Sequence, residues 1–347
     1  MNQPTELAAP IADLLARAGA DAAIDAITPC KRGGNNRIYR VDTIAGVFAA
    51  KQYFRHEGDT RDRLAAEYAF LDYASRAAPG TTPRPLACNP ESGMALYEFV
   101  QGRQLRPDEI GLPHVEAAIR LFRALNAPTA RAGAQLPVAS EACFSLSDHV
   151  ALIHGRIDRL LEITPQSGID AEAIDFFRQL DEFWQHFAER IRTDAARAGL
   201  DFNAALAMEQ RCISPSDFGF HNALTTADGS IRFLDFEYAG WDDPAKTAGD
   251  FFAQLALPVP HEYFAHFVAE IMRDFPEAER LSFRAGLLRP AYQIKWCCIA
   301  LNVFLPVHLA RRQFANPALD ETALKRTQLA KGKQLFQSIQ IKSHGLH

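Results

Sequence analysis

Two carboxylates and one carboxamide lie near each other in a part of the chain that is otherwise apolar. Asp217 and Asn222 stand five positions apart in the segment SDFGFHN (222 − 217 = 5), and Asp235 follows thirteen positions after Asn222, at the end of the apolar run IRFL (235 − 222 = 13). Phosphoryl transfer needs one carboxylate that orients the attacking hydroxyl and accepts its proton, and oxygen ligands that hold Mg²⁺ against the phosphates. Because Mg²⁺ keeps several waters, two protein ligands are enough. The spacing predicts Asp217 as a general base and Asn222 and Asp235 as magnesium ligands, although an Asp and an Asn at this spacing also form loops that bind nothing.

A candidate phosphate-binding element lies upstream. The turn Gly33-Gly34-Asn35 precedes a strand, Lys51 lies on the following strand, and Glu67 lies sixteen residues further on (67 − 51 = 16). Glycines let backbone amides approach phosphate oxygens, and a Lys–Glu ion pair fixes the ammonium group against the α- and β-phosphates. The same residues in isolation are typical of an ordinary turn, a solvated lysine and a surface charge. If Lys51 faces a cleft, its replacement is expected to weaken nucleotide use without unfolding the chain.

The elements that must position these residues change character near residue 100. Alternating apolar residues predict a hairpin at 37–42 and 47–54, and a further strand is predicted at 94–100. Beyond this point helical periodicity dominates, except for a β-rich insertion at 211–236 that carries the catalytic candidates. The predicted helices cover residues 8–19, 60–76, 113–125, 146–163, 171–198, 202–210, 261–273, 276–303 and 317–340.

Length and element order together predict two lobes. A chain of 347 residues suggests two domains at roughly 100–200 residues each. A β-rich stretch followed by helices is typical of an α+β arrangement. We assign residues 1–100 to a small β-rich nucleotide-binding lobe, and residues 101–347 to a mostly helical lobe with the catalytic loop and the substrate site.

Composition excludes several classes of function. Apolar residues make up 48% and charged residues 23% of the chain, as in ordinary globular proteins, and the net charge of -5 gives no general attraction to nucleic acid or to anionic lipid. No apolar run of about 18 residues is free of charges, and the first thirty residues lack the basic start of a secretory signal. The six cysteines are scattered and form no zinc-like spacing. We expect a cytoplasmic protein with reduced cysteines, no nucleic acid, no membrane contact and no obligate protein partner.

The ordered set of a glycine-rich turn, a strand lysine, a helix glutamate, a linker strand and the Asp/Asn/Asp group resembles the aminoglycoside phosphotransferase and choline kinase family, over about residues 26–250. This resemblance implies a bilobal protein-kinase-like fold that transfers the γ-phosphate of ATP (or GTP) to a hydroxyl group of a small molecule, with Mg²⁺. The positions that match the family's motif are Asp217 as base, Asn222 and Asp235 as metal ligands, Lys51 as phosphate anchor and Glu67 as its supporting acid.

The resemblance also implies a site for the nucleotide base, along the backbone from Glu98 to Val100. Two positions depart from the family's pattern. The family's loop usually begins with a histidine where this chain has Pro215, and it often has a basic residue where this chain has Gly219. His221 is a candidate to replace the missing basic group.

The acceptor is expected to be small, because Pro244 follows only nine positions after Asp235 (244 − 235 = 9), which leaves no long activation segment. Two acceptor chemistries fit the residue types, a choline-like cation held by aromatic and acidic groups and an anion such as a sugar phosphate. The candidate residues are Trp241, Asp242, Tyr292 and Trp296 for the cation, and Arg284, Arg289 and Lys295 for the anion. Tyr292 and Trp296 equally suit a helix core. We favour a sugar, and the alternative function is that of a nucleotide-binding pseudokinase acting as a regulatory module.

Overall fold

A five-stranded antiparallel sheet forms most of the small lobe. The computed structural model describes residues 3–20, 22–30, 36–55 and 61–344. The elements are helix α1 (Gln3–Arg17), strands β1 (Ile24–Pro29), β2 (Arg37–Thr43) and β3 (Gly46–Gln52), helix α2 (Arg63–Ala77), and strands β4 (Pro85–Asn89) and β5 (Met94–Glu98). In the sheet the strands follow the order β1-β2-β3-β5-β4, so the fifth strand lies between the third and the fourth.

The two faces of this sheet contact different parts of the molecule. Tyr39 and Val41 of β2 and Ala50 of β3 are buried in one hydrophobic cluster with Ile11 of α1. Successive side chains of a strand point to opposite faces of the sheet. Lys51 therefore leaves the sheet on the face opposite α1, and this alternation is what directs a lysine into the interior between the lobes.

Helix α2 lies on that second face. Its first turn is capped by Asp62, whose carboxylate accepts the backbone N–H of Ala65 at 2.9 Å, as the free amides of a helix start require. The helix buries Leu64 and Phe70 in the main hydrophobic core. Glu67, between them, is also buried, with only 3% of its surface exposed. The same face that packs the helix therefore carries a carboxylate into the interior.

Helices form most of the large lobe, and α9 runs through its centre. This helix packs against the helices α5, α6, α7, α8 and α11. The helices are α3 (Leu112–Leu125), α4 (Pro128–Ala132), α5 (Leu146–Leu161), α6 (Gly168–Arg197), α7 (Pro244–Ala253), α8 (Phe264–Met272), α9 (Ala278–Leu301), α10 (Pro306–Ala315) and α11 (Glu321–His344). Two small hairpin-like pairs interrupt them, β6 (Cys212–Ser214) with β9 (Gly240–Asp242) and β7 (Ala223–Thr225) with β8 (Ile231–Phe233).

The predicted α+β, bilobal arrangement is confirmed, with a β-rich first part and a helical second part. The helix predicted at 202–210 is wrong, since only the short 3₁₀ turn Met208–Gln210 forms there. The backbone of this segment makes a hydrogen bond with a distant residue instead of a helical one, because the N–H of Leu206 donates to the carbonyl of Phe144 at 2.8 Å. A local pattern cannot show such a tertiary hydrogen bond. The sequence analysis also missed strands β1, β4 and β9 and helices α4, α7 and α10.

Helix α10 belongs to the large lobe in sequence but touches the small lobe. Arg37, at the start of β2, donates from Nε to the carbonyl of Phe314 at 3.2 Å, and its guanidinium carbon lies 4.1 Å from the Phe314 ring centroid. The same ring meets Phe54, just after β3, edge to face at 5.4 Å between centroids. A late helix thus contacts the lobe that carries the predicted phosphate-binding turn.

Within the described part of the chain, no single helix is long and apolar enough to cross a membrane. Residues 278–304 and 306–315 satisfy that length and composition only as a pair, which is bent by 74°.

Candidate active site

The loop that carries Asp217 is held by alternating aromatic side chains. Phe218 and Phe220 are buried, at 2% and 0% exposure. The Phe218 ring lies 5.1 Å from the rings of both Phe233 and Phe251, and Phe220 lies 5.4 Å from Phe251. Because this irregular loop anchors Phe218 and Phe220 in the core, the neighbouring side chains of Asp217 and His221 are left half-buried.

Asp217 is bound at both carboxylate oxygens. Its Oδ1 lies 3.2 Å from Nε2 of His221, and its Oδ2 accepts Nδ2 of Asn222 at 3.3 Å. The same Nδ2 donates to the Asp217 carbonyl at 3.0 Å. With 31% of its side chain exposed, Asp217 remains open to a reacting group. The predicted base and the predicted metal amide are therefore neighbours.

Lys51 joins Glu67 to Asp235. Its Nζ lies 2.6 Å from Glu67 Oε2 and 2.7 Å from Asp235 Oδ1. Burial by itself lowers the pKa of a lysine, but the carboxylates of Asp235 and Glu67 outweigh it and hold the pKa of Lys51 well above its ordinary value. Lys51 is therefore a buried cation with 5% exposure, so its loss should cost stability as well as weaken nucleotide use, and the expectation that the chain stays folded without it stays a prediction.

Glu67 is itself fixed by two further hydrogen bonds, from Tyr53 and from the backbone of Phe236. Tyr53 donates its hydroxyl to Glu67 Oε2 at 2.6 Å and also lies 2.6 Å from the hydroxyl of Tyr97. The backbone N–H of Phe236 donates to Glu67 Oε1 at 3.1 Å. Since Phe236 follows Asp235 in the chain, the glutamate of α2 binds both the lysine and the backbone next to the metal candidate. The predicted Lys–Glu pair is present and is part of a larger network.

Two residues of the site have left-handed backbone conformations that non-glycine residues rarely adopt. Ser216 has φ of 60° and Asp235 has φ of 65°. Each such residue costs about 1–3 kcal/mol and persists where surrounding contacts hold it. Around Ser216, its own N–H donates to Ser214 Oγ at 3.0 Å and its carbonyl accepts the N–H of Phe218. The strain lies beside the predicted base and at the predicted metal carboxylate, and such strain is common at functional sites.

Glu237 lies in the site, although the sequence pattern did not point to it. Its Oε2 accepts Nδ2 of Asn36 at 2.8 Å, and its Oε1 pairs with Arg63 Nη1 at 2.8 Å. Asn36 in turn accepts the N–H of Phe54 at 3.0 Å. Glu237 thereby ties the residue after the glycine-rich turn to the start of α2. Its position two residues after Asp235 is the signal that could have identified it.

The predicted nucleotide-binding backbone is described only in part. Gly33, Gly34 and Asn35 lie outside the described residues. Glu98 ends β5, and its N–H donates to the carbonyl of Arg84 at 2.9 Å. Val100 follows in the half-buried linker that leads to the large lobe. The roles of all five residues in binding a nucleotide stay predictions.

A second, buried network lies beneath the loop. Asp243 accepts Arg284 Nε at 2.6 Å and lies 2.9 Å from His149 Nε2, while the hydroxyl of Tyr292 lies 2.6 Å from His149 Nδ1. Burial favours the protonated acid, but Arg284 outweighs it and lowers the pKa of Asp243 to about 2. These groups are engaged with one another. Tyr292 and Arg284 therefore belong to the core and not to an acceptor pocket.

The contacts and burial of the other candidate acceptor residues show which of them lie near the site. Lys295 pairs with both carboxylate oxygens of Asp250 at 2.8 Å, and Trp296 donates Nε1 to the same carboxylate at 2.8 Å. Asp242 is fully buried, and Arg289 lies over the ring of Phe264 at 4.3 Å. Trp296 is only half-buried and its ring lies 6.3 Å from that of His221. Trp241, on β9, is also half-buried. Trp296 belongs to the surroundings of Asp217 through its ring contact with His221.

The donor set suits a magnesium ion. Asn222 uses its Nδ2 on Asp217, so its Oδ1 is the atom left for a ligand, and Asp235 binds Lys51 through one oxygen only, with 34% of its side chain exposed. Among the described residues, no group of three or more His, Cys, Asp or Glu side chains could hold a metal. A carboxylate and an amide oxygen with water and phosphate oxygens are what Mg²⁺ accepts, whereas zinc needs more protein ligands.

Comparison with known proteins agrees with this geometry. The sequence profile described as "Phosphotransferase enzyme family" matches residues 26–284. No curated protein sequence matches significantly. The choline kinase of Cryptosporidium parvum Iowa II is 13% identical, with 92% of this chain and 91% of that chain covered and a TM-score of 0.58. An ethanolamine kinase of Plasmodium vivax is 13% identical, with 98% and 91% covered and a TM-score of 0.60. A streptomycin-ATP-APH(2")-IIa ternary complex is 10% identical, with 90% and 97% covered and a TM-score of 0.52.

Proposed function

Because this chain belongs to the phosphotransferase enzyme family, we propose that it transfers the γ-phosphate of ATP to a hydroxyl group of a small molecule. The observation that carries the proposal is the position of Lys51, whose ammonium meets Glu67 of the small lobe and Asp235 of the large lobe. Asp217 and Asn222 lie in contact on the adjoining loop. An anchor for phosphates, oxygen ligands for a metal and a candidate base thus come together where the two lobes meet.

Each residue has a separate task in this reaction. Lys51 binds the α- and β-phosphates, and Glu67 holds its ammonium group in place. Asp217 accepts a hydrogen bond from the acceptor hydroxyl and orients its oxygen toward the γ-phosphate. It takes the hydroxyl proton as the new O–P bond forms and the bond from the γ-phosphorus to the β,γ-bridging oxygen breaks, which releases ADP. Asn222 and Asp235 would hold Mg²⁺, which when bound neutralises charge on the phosphates. Most of the rate enhancement then comes from positioning and charge neutralisation.

ATP is the favoured nucleotide, because a structurally similar protein is known in a complex with ATP. We place its base against the backbone from Glu98 to Val100, at the start of the linker between the lobes. The glycine-rich turn at Gly33, Gly34 and Asn35 is assigned to the phosphates. GTP is the alternative, and competition between the two nucleotides in the same assay distinguishes them.

A small acceptor is favoured by the short path that follows the metal carboxylate. Asp235 and the first residue of α7, Pro244, are separated by nine positions (244 − 235 = 9), and β9 lies within that stretch. No extended segment is present there to hold a peptide substrate. Structurally similar proteins are a choline kinase and an ethanolamine kinase, yet two of the four residues that suited a choline-like cation, Asp242 and Tyr292, are fully buried here. We favour a sugar hydroxyl, with Trp296 beside the site as a stacking surface.

The test is consumption of ATP with Mg²⁺ in the presence of a panel of sugars, sugar phosphates and amino alcohols, followed by mass measurement of the product. We expect one class to stimulate turnover and to gain one phosphoryl group. The matched control is Asp217→Asn, which keeps the size of the side chain and removes its charge. Nucleotide binding that depends on Mg²⁺ without turnover of any acceptor contradicts the enzyme and supports a regulatory pseudokinase.

A further inference from the structure

The ring of His221 occupies the space that a side chain at position 219 would need. A Cβ atom built on Gly219 would lie 2.7 Å from Nδ1 and 2.9 Å from Cε1 of His221. Gly219 has φ of 171°, an extended conformation that any residue adopts, so the backbone does not require glycine there. Position 219 requires glycine because the His221 ring fills the space that a Cβ atom would occupy. Gly219, one of the two departures from the family's usual loop, and the histidine two positions later therefore form one structural unit.

In that space the ring is oriented toward the base. His221 Nε2 lies 3.2 Å from Asp217 Oδ1, while the Trp296 ring meets the imidazole edge to face at an interplanar angle of 83°. The other ring nitrogen, Nδ1, is shut off from solvent and has no hydrogen-bond partner among the described residues. The tautomer that carries its proton on Nε2 makes the one hydrogen bond that this geometry offers, with Asp217 as acceptor.

We propose that His221 is a positioning residue for the transfer reaction, which holds the Asp217 carboxylate through Oδ1 while Asn222 holds it through Oδ2. This inference rests on the proposed function. Because each carboxylate oxygen of Asp217 accepts one hydrogen bond, rotation of the carboxylate about the Cβ–Cγ bond is restrained. A lone pair of the carboxylate therefore stays directed toward the acceptor hydroxyl. The Nε2 proton stays on His221, and Asp217 alone receives the proton of the hydroxyl.

The competing explanation is that His221 only fills volume beside Trp296. The two explanations differ in what a glutamine does at 221, since its side-chain amide can donate where Nε2 donates but lacks an aromatic ring. They also differ in the effect of Gly219→Ala, which deletes nothing and only displaces the ring. If the hydrogen bond matters, displacing the ring must produce the same kinetic change as removing it.

The experiment compares kcat and KM of His221→Ala, His221→Gln, Gly219→Ala and the double variant of His221→Ala with Gly219→Ala. We expect kcat of His221→Ala and of Gly219→Ala to fall about tenfold to a hundredfold, as misplacement of a reacting group does, with KM for ATP unchanged. His221→Gln should recover most of kcat. The double variant should be no slower than either single variant, because both act on one contact. Gly286→Ala, in α9 with open space around it, is the matched glycine control and should keep wild-type kcat.

A second readout does not depend on turnover. Nitrogen NMR of the histidine side chains should show His221 with its proton on Nε2, and this signal should shift in Asp217→Asn and in Gly219→Ala. Absence of turnover in the wild type contradicts the proposed function, while the NMR result still decides whether the contact exists. Wild-type kcat in His221→Ala, or losses in the two single variants that multiply in the double variant, overturn the proposal. An NMR signal of His221 that is unchanged in Asp217→Asn overturns the proposal as well.

Discussion

Lys51 and Asp235 lie 184 residues apart in the chain, yet the Nζ of the lysine is 2.7 Å from Oδ1 of the aspartate. The lysine belongs to the small lobe and the aspartate to the large lobe. Their contact, together with the bond from Glu67 to the backbone of Phe236 at 3.1 Å, fastens the lobes at the predicted phosphate site. A buried cation shared by two carboxylates affects stability as well as binding, and the first prediction follows from this double role.

Removal of Lys51 alone should destabilise the fold. Lys51→Met leaves the buried Glu67 carboxylate without its cation, which typically costs about 3–5 kcal/mol. The double variant of Lys51→Met with Glu67→Gln should regain part of that loss, because the uncompensated charge is gone. Urea unfolding of the wild type, both single variants and the double variant measures the coupling. Single-variant losses that simply add in the double variant contradict the buried pair.

Magnesium should increase the stabilisation that a nucleotide gives. Asn222 and Asp235 are assigned to the metal, so ATP with Mg²⁺ should raise the unfolding temperature more than ATP with EDTA. A ligand at a hundred times its Kd stabilises by about 2.7 kcal/mol, which is ample for a thermal shift. Asp235→Asn should lose the extra increment and Asp217→Asn should keep it. Equal shifts with Mg²⁺ and with EDTA in the wild type would remove the metal assignment.

The two aspartates should be separable by kinetics. Asp217→Asn should lower kcat by about 10²–10⁴-fold, the usual contribution of a general base, with KM for ATP close to wild type. Asp235→Asn should lower kcat and also raise KM for ATP, because it weakens binding of the metal–nucleotide complex. Steady-state rates with a saturating acceptor give both parameters. Unchanged turnover in Asp217→Asn contradicts its role as base.

Stability should fall with decreasing pH partly because of His308. Burial, and after it the nearby Arg311, Arg156 and Arg159, lowers the pKa of His308 to about 4. Between its ordinary value near 6.5 and about 4, the unfolded chain binds a proton that the folded chain does not, so stability decreases as pH falls through this window. For a shift of this size the loss from pH 7 to pH 5 is about 2 kcal/mol.

The check is denaturant unfolding at pH 7 and at pH 5. His308→Gln should lose less stability between these two values than the wild type does. His186→Gln, at an exposed position on α6, serves as the matched control. If His308→Gln and the wild type lose stability equally, His308 does not contribute to the acid sensitivity.

Sequence spacing predicted the parts of the site whose residues lie on consecutive pieces of one loop. Asp217 and Asn222 come from the same loop, and the phenylalanines at 218 and 220 that hold it were visible in the sequence. The pair of Lys51 and Glu67 was also predicted, because a strand and the next helix are close neighbours in such a lobe. Asp235 was found through its place at the end of an apolar strand.

Contacts between distant segments could not be predicted in this way. The bond between Asn36 and Glu237 spans 201 positions, and nothing local in either segment indicates it. The role proposed for His221 depends on the absence of a side chain at Gly219. A search of the sequence for chemically active residue types finds His221 but does not find Gly219. The expected helix at 202–210 was wrong for a related reason, since its backbone amide is bound by Phe144 from another element.

The contact of α10 with the small lobe bears on how the protein can be divided. Phe314 lies against Phe54, and Arg37 holds its carbonyl, so residues from both ends of the chain share one surface. A shortened version that stopped before Pro306 would strip this cover from β2 and from the end of β3. When the protein is reassembled from two separately produced fragments, a second fragment that ended before α10 would lack Phe314 and its contacts with the small lobe. The last helices should therefore be produced as part of the fragment that reassembles against the first hundred residues, and not trimmed as a dispensable tail.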